Sequence, residues 1–115
     1  MSKFVSTRNK GFAMTFDNLF TISVQYGTGN YCEKKNLGAD ADMEMKTNRW
    51  ESNSAEIAVF EGERMLSVGD SDNQVIGWLG TDDVAKIITI VQSAHPDNEE
   101  EMVEKIKKLG LWLNG

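Results

Sequence analysis

The stretch Phe12-Ala13-Met14-Thr15-Phe16-Asp17-Asn18-Leu19-Phe20-Thr21-Ile22-Ser23-Val24-Gln25-Tyr26 alternates large apolar with small or polar side chains on both sides of Asp17-Asn18. Period two marks strands with one buried face, and Asp-Asn supplies residue types that tolerate a tight turn, so the stretch reads as a β-hairpin. Upstream, Phe4 to Thr7 forms a short leading strand, separated from the hairpin by Arg8-Asn9-Lys10-Gly11. Downstream, residues 36–53 hold no regular period and include Gly38, Asn48, Ser52 and Asn53, which predicts a long loop with one short element near Met43 to Met45. Alternation resumes at Ala55, Ile57 and Val59, turns at Glu61-Gly62-Glu63, and returns through Met65 to Val68. Val75 to Leu79 is the last strand, and its Trp78 is expected to be largely buried.

The period then changes. Thr81 reads as an N-cap, Asp82 and Asp83 fall in a first turn where the helix dipole favours anions, and Val84, Ile87, Ile88 and Val91 share one helical face. Pro96 ends that helix. A second helix from Asn98 to Leu109 carries Met102, Val103, Ile106 and Leu109 on its apolar side, with Glu99 to Glu101 first, Lys105, Lys107 and Lys108 last, and Gly110 as the stop. Strands grouped first and helices last predict one α+β domain over 1–115. An antiparallel sheet of about five strands fills the β-rich residues 1–80, followed by two C-terminal helices in 81–115 packed on one face.

The chain has 115 residues, 40% hydrophobic, with one Cys and one His. That length supports a single core without disulfides or a structural metal, and a lone Cys forms no intrachain bridge. With no secretory pattern at the start and no apolar run long enough for a bilayer, the expected setting is cytoplasmic, with no membrane span. Twelve basic and 18 acidic side chains leave a net charge of −6, which disfavours general nucleic-acid binding. The charge is unevenly spread: residues 1–35 sum to +3, 36–73 to −6 and 74–115 to −3. Such a dipolar chain can orient a small anion or a partner protein.

The sequence offers little for catalysis. One His, one Cys and no Cys-x-x-Cys or His-x-x-x-His spacing leave a transition-metal site without enough soft or imidazole ligands, so neither metal nor cofactor is expected. Cys32 and His95 as nucleophile and base lack any flanking signature. The acidic runs Asp40-Ala41-Asp42-Met43-Glu44 and Asp70-Ser71-Asp72 are the basis of a third reading, a small metal-dependent hydrolase, but from Asp40 the sixth place, which a calcium loop requires to be Gly, is Met45. No catalytic residue is assigned.

Tyr26-Gly27-Thr28-Gly29-Asn30-Tyr31-Cys32 begins like a phosphate-binding glycine loop, yet the third glycine falls at Cys32 and no helix follows, which excludes the dinucleotide fold. The two glycines still let backbone approach a ligand between the rings of Tyr26 and Tyr31. Arg8 and Lys10 add cations, and Arg49-Trp50 places a cation beside an aromatic in the long loop. Arg8, Lys10, Tyr26, Asn30, Tyr31, Arg49 and Trp50 are therefore the candidate ligand- or partner-binding residues, against the plainer reading of a hairpin turn beside a solubilising loop. Leu111, Trp112 and Leu113, beyond the Gly110 stop, form the candidate interface of a homo-oligomer.

His95-Pro96-Asp97 is the tripeptide that links two helices in J-domain cochaperones, but those domains need a strongly basic helix before it, and Thr81 to Ala94 holds only Lys86. Here the tripeptide reads as an interhelical turn. Ser6-Thr7-Arg8-Asn9-Lys10-Gly11-Phe12, together with Ser23-Val24-Gln25-Tyr26-Gly27-Thr28-Gly29-Asn30-Tyr31-Cys32, resembles small bacteriophage-encoded accessory proteins. That resemblance implies a non-enzymatic, anti-defence type of protein that binds and inhibits a host protein. Its alternative is a sponge that sequesters a small anionic nucleotide signal.

Overall fold

The computed structural model describes residues 2–7, 10–27, 30–32, 50–69 and 73–111. Six strands form one sheet: β1 (Lys3–Ser6), β2 (Gly11–Thr15), β3 (Phe20–Gln25), β4 (Ala55–Glu61), β5 (Arg64–Met65) and β6 (Val75–Leu79). Two helices follow, α1 (Thr81–Ser93) and α2 (Glu99–Lys108). The sheet order is β1-β2-β3-β4-β5, and β6 also pairs with β4, so β5 and β6 lie end to end along the same edge. Every pairing is antiparallel. The expected α+β architecture is present, with six strands. The element near Met43 to Met45 lies outside the described residues.

Alternation decides which face is covered. Phe20, Ile22 and Val24 of β3 are buried, and their register partners Ile57 and Val59 on β4 are buried beside them. α1 lays Val84, Ile87 and Val91 over these two strands, and α2 adds Met102 and Ile106 to the same core. The other face, where Thr15, Thr21, Ser23, Gln25 and Glu56 fall, is more polar. Thr15 and Thr21 hydroxyls meet across the strands at 2.7 Å, and the Thr7 hydroxyl donates to Gln25 at 2.8 Å.

Gly11 sits where β2 passes close to β3. A Cβ there would lie 2.2 Å from the Val24 carbonyl oxygen, a backbone atom that cannot swing aside, so only glycine fits.

Two expectations are corrected. Trp78 is 38% exposed, not largely buried. Ile76 pairs with Ile57 and Leu79 with Ala55, so Gly77 and Trp78 together oppose Glu56 in a β-bulge. The extra residue breaks the alternation that would have turned Trp78 inward, and its φ is +59°. Thr81 is the first residue of α1, not its cap; Gly80 caps the helix without a side-chain hydrogen bond. α2 matches its reading closely. The Asn98 side chain accepts from the Glu101 N–H and donates to the Glu101 carboxylate at 2.7 Å, a reciprocal cap, and Gly110 follows the helix at φ +70°.

Candidate functional site

Tyr26 follows β3, and its N–H donates to the Lys10 carbonyl at 3.0 Å, which sets Lys10 beside the end of the hairpin. The Trp50 indole Nε1–H donates to the Tyr26 carbonyl at 2.9 Å. That bond pins an aromatic from the chain entering β4 against the end of β3, and it joins two residues that are 24 apart in sequence. Lys10, Tyr26 and Trp50 are thus brought together.

Asn30 and Tyr31 lie next to this cluster in a different role. Asn30 is 8% exposed, its Oδ1 accepts from the Gly27 N–H at 3.0 Å, and its Nδ2 donates to Glu56 at 3.3 Å. The second Glu56 oxygen accepts from the Tyr31 N–H at 3.2 Å, and the Tyr31 carbonyl accepts from the Trp78 N–H at 2.8 Å. Glu56 therefore latches residues 30–31 over the polar face and beside β6. The Asn30 amide is occupied within the fold, so its contribution is to shape the loop. The fully buried Cys32 thiol, 3.5 Å from the Gly27 carbonyl, extends the same latch.

Arg8, Arg49, Trp112 and Leu113 lie outside the described residues. Leu111 is half-buried against the chain's own core, so this residue of the expected interface folds back onto its own domain.

Tyr26 and Trp50 open onto a groove of about 590 Å³ between the end of the sheet and the start of α1. Val24, Ala55, Leu79 and Val84 supply a buried floor, Phe12, Tyr26, Trp50 and Ile88 half-buried walls, and Ala85 an exposed point on the rim. Ser52, Ser54 and Thr81 bring hydroxyls to its edge. Among the described residues that line it, Glu51 is the one charged side chain. Asp82 and Asp83 occupy the first turn of α1, where they neutralise the positive end of the helix dipole.

Phe12, Val84, Ala85 and Ile88 are not candidates from sequence, where Phe12 and the helix face read simply as core. No local signal marks them, because the groove exists only once α1 docks beside the β2–β3 hairpin.

A second trough, about 810 Å³, runs between β5 and α2. It is larger but less suited to an apolar guest: Arg64, Glu99, Glu100, Glu104, Lys107 and Lys108 make six of its ten lining residues charged. Arg64 is held by Glu99 and, at 2.8 Å, by Glu61, and these carboxylates raise its guanidinium pKa above the ordinary value. Arg64 and Glu61 are exposed and Glu99 is half-buried, so solvent screens the pairs.

Among the described residues no group of three His, Cys, Asp or Glu converges on a metal-sized site, and no helix is long and apolar enough to cross a membrane. Comparison of this chain with protein-family models, with curated proteins and with solved structures finds no match.

Proposed function

We propose that this chain is a non-enzymatic binding protein whose Tyr26–Trp50 groove receives an apolar segment of a partner protein. The carrying observation is the lining: a buried aliphatic floor between aromatic walls, rimmed by hydroxyls, in a volume within the roughly 300–1,000 Å³ of small-guest sites. Aromatic walls give large contact area at low entropic cost, because Tyr and Trp lose few rotamers on binding. In the setting implied by the N-terminal resemblance, the partner is a host protein and binding occludes its surface.

The same lining favours a protein segment over a nucleotide. Phosphates call for cations or uncompensated helix N–H groups. Among the described residues the lining holds no cation, and Asp82 and Asp83 already answer the helix terminus.

The test is selection of random peptides against the immobilised full chain, with Ala85→Glu as counter-selection. Ala85 is exposed, so the change obstructs the rim without disturbing the core. Enriched peptides should carry one or two large apolar side chains and bind Ala85→Glu at least tenfold more weakly, about 1.4 kcal/mol. Peptides that bind both proteins equally, or a nucleotide that binds the parent in their place, would refute the reading.

A further inference from the structure

We propose that the chain pairs with a second copy of itself through the outer edge of β1, with Phe4 against the partner's Phe4, so that two six-stranded sheets become one continuous sheet.

The phase of the β1–β2 ladder shows what that edge presents. The Thr7 N–H donates to the Gly11 carbonyl at 3.2 Å, and Thr7 and Gly11 continue the register Lys3↔Thr15, Val5↔Ala13. Antiparallel pairs alternate between residues that exchange hydrogen bonds and residues that do not. Lys3, Val5 and Thr7 therefore bond to β2, while the main-chain N–H and C=O groups of Phe4 and Ser6 point away from it. β2 obeys the same phase: its even-numbered neighbours bond to β3, as the Tyr26 N–H to the Lys10 carbonyl and the Phe16 N–H to the Phe20 carbonyl show.

β1 ends the sheet order, and all four of its residues are exposed. Phe4 is 81% exposed, although it stands opposite Met14 on the face that carries the helices. Edges are commonly blunted by proline, a bulge or several charges. This strand has neither proline nor bulge, and Lys3 is its one charge.

A second copy fits that edge without adjustment. With a two-fold axis at Phe4, Ser2 meets the partner's Ser6, Phe4 meets the partner's Phe4, and Ser6 meets the partner's Ser2, all in the phase whose main-chain groups point outward. Lys3 then opposes the partner's Val5, so no like charges face each other. The two phenyl rings meet on the helix-bearing face. A one-residue slip would oppose side chains from different faces and groups already bonded to β2. The contact is short, below the roughly 1,200 Å² of stable interfaces, so the association is weak and concentration-dependent.

Sedimentation of the full chain from about 10 μM to about 1 mM, at 0.15 M salt so that the −6 charges are screened beyond about 8 Å, tests this. The mass should climb from monomer toward dimer. Ser6→Pro, which removes an outward N–H that no bond of the described chain uses, and Phe4→Lys should each weaken association at least tenfold with an unchanged melting temperature. Oxidised Phe4→Cys should form a covalent dimer, because residues in a bonded pair sit about 5.5 Å apart at Cα, within disulfide range. Val5→Cys, which faces the other side and opposes Lys3 of the partner subunit, should not. A parent that stays monomeric throughout, a dimer indifferent to Ser6→Pro and Phe4→Lys, or equal cross-linking at positions 4 and 5 would overturn the proposal.

Discussion

Asn18 ties the sheet to the helices through a single amide. Its Nδ2 lies 2.8 Å from the Val91 carbonyl and 2.9 Å from that of Ala94, with Gln92 at 3.3 Å, while its Oδ1 accepts from the Phe20 N–H at 3.0 Å. The carbonyls of a last helical turn have no partner within the helix, so the hairpin turn supplies one. Asn18→Ala is expected to cost about 1–3 kcal/mol in denaturant unfolding. Asn18→Asp should cost at least as much at pH 7, because it keeps the acceptor for Phe20 but sets carboxylate oxygens against carbonyls; a smaller loss for Asp than for Ala would show that the helix contact contributes little. The next residue carries strain. Leu19 has φ +75° and is 58% exposed, so Leu19→Gly relieves a left-handed conformation worth about 1–2 kcal/mol while giving up about 0.5–1 kcal/mol to chain entropy. Its unfolding midpoint should stay level or rise, and a marked fall would mean that the Leu19 side chain makes a contact the fold needs. At Gly11 the sign reverses: Gly11→Ala is expected to destabilise by about 1–3 kcal/mol, since its methyl meets backbone.

Helix α1 has two jobs that its own sequence does not separate. Ile87 is fully buried over β3 and β4, whereas its neighbour Ile88 is half-buried and walls the groove. Ile87→Ala should lose about 2–5 kcal/mol through transfer and cavity terms. Ile88→Ala should lose only about 1–2 kcal/mol but weaken binding of groove-directed peptides, so the ratio of binding loss to stability loss distinguishes the two positions. Periodicity places both on one apolar stripe, and a stripe spanning more than a third of the helix cannot say which edge meets the sheet and which meets solvent. The strands are legible for the opposite reason: period two divides faces without ambiguity, and Phe20, Ile22 and Val24 are buried as the alternation requires. It fails at Trp78, where one extra residue in β6 shifts the phase and nothing in Val75-Ile76-Gly77-Trp78-Leu79 announces a bulge except a glycine.

At the scale of the whole molecule, the candidate residues sort by distance in the chain. Tyr26 and Trp50 are identifiable as aromatics in glycine-rich or polar surroundings, and the indole-to-carbonyl bond unites them. Asn30, a candidate for ligand contact, instead closes its own loop, because its partner Glu56 arrives from a strand 26 residues away. The groove floor is invisible in the sequence for the same reason, since it combines β3, β4, β6 and α1. What the described residues present is a sheet with one more polar face, one helix-covered face, an apolar groove where that cover begins and, at β1, a short edge that no described strand pairs. The groove carries the functional claim, and backbone and methyl NMR of the full chain, titrated with a selected apolar peptide, locates binding without assuming the site. Shifts should concentrate at the Trp50 indole N–H, Val84, Ala85 and Ile88 and be absent from the trough at Arg64 and Lys107. Shifts centred on that trough or on the Thr21–Ser23 face, with the Trp50 indole unmoved, would contradict it.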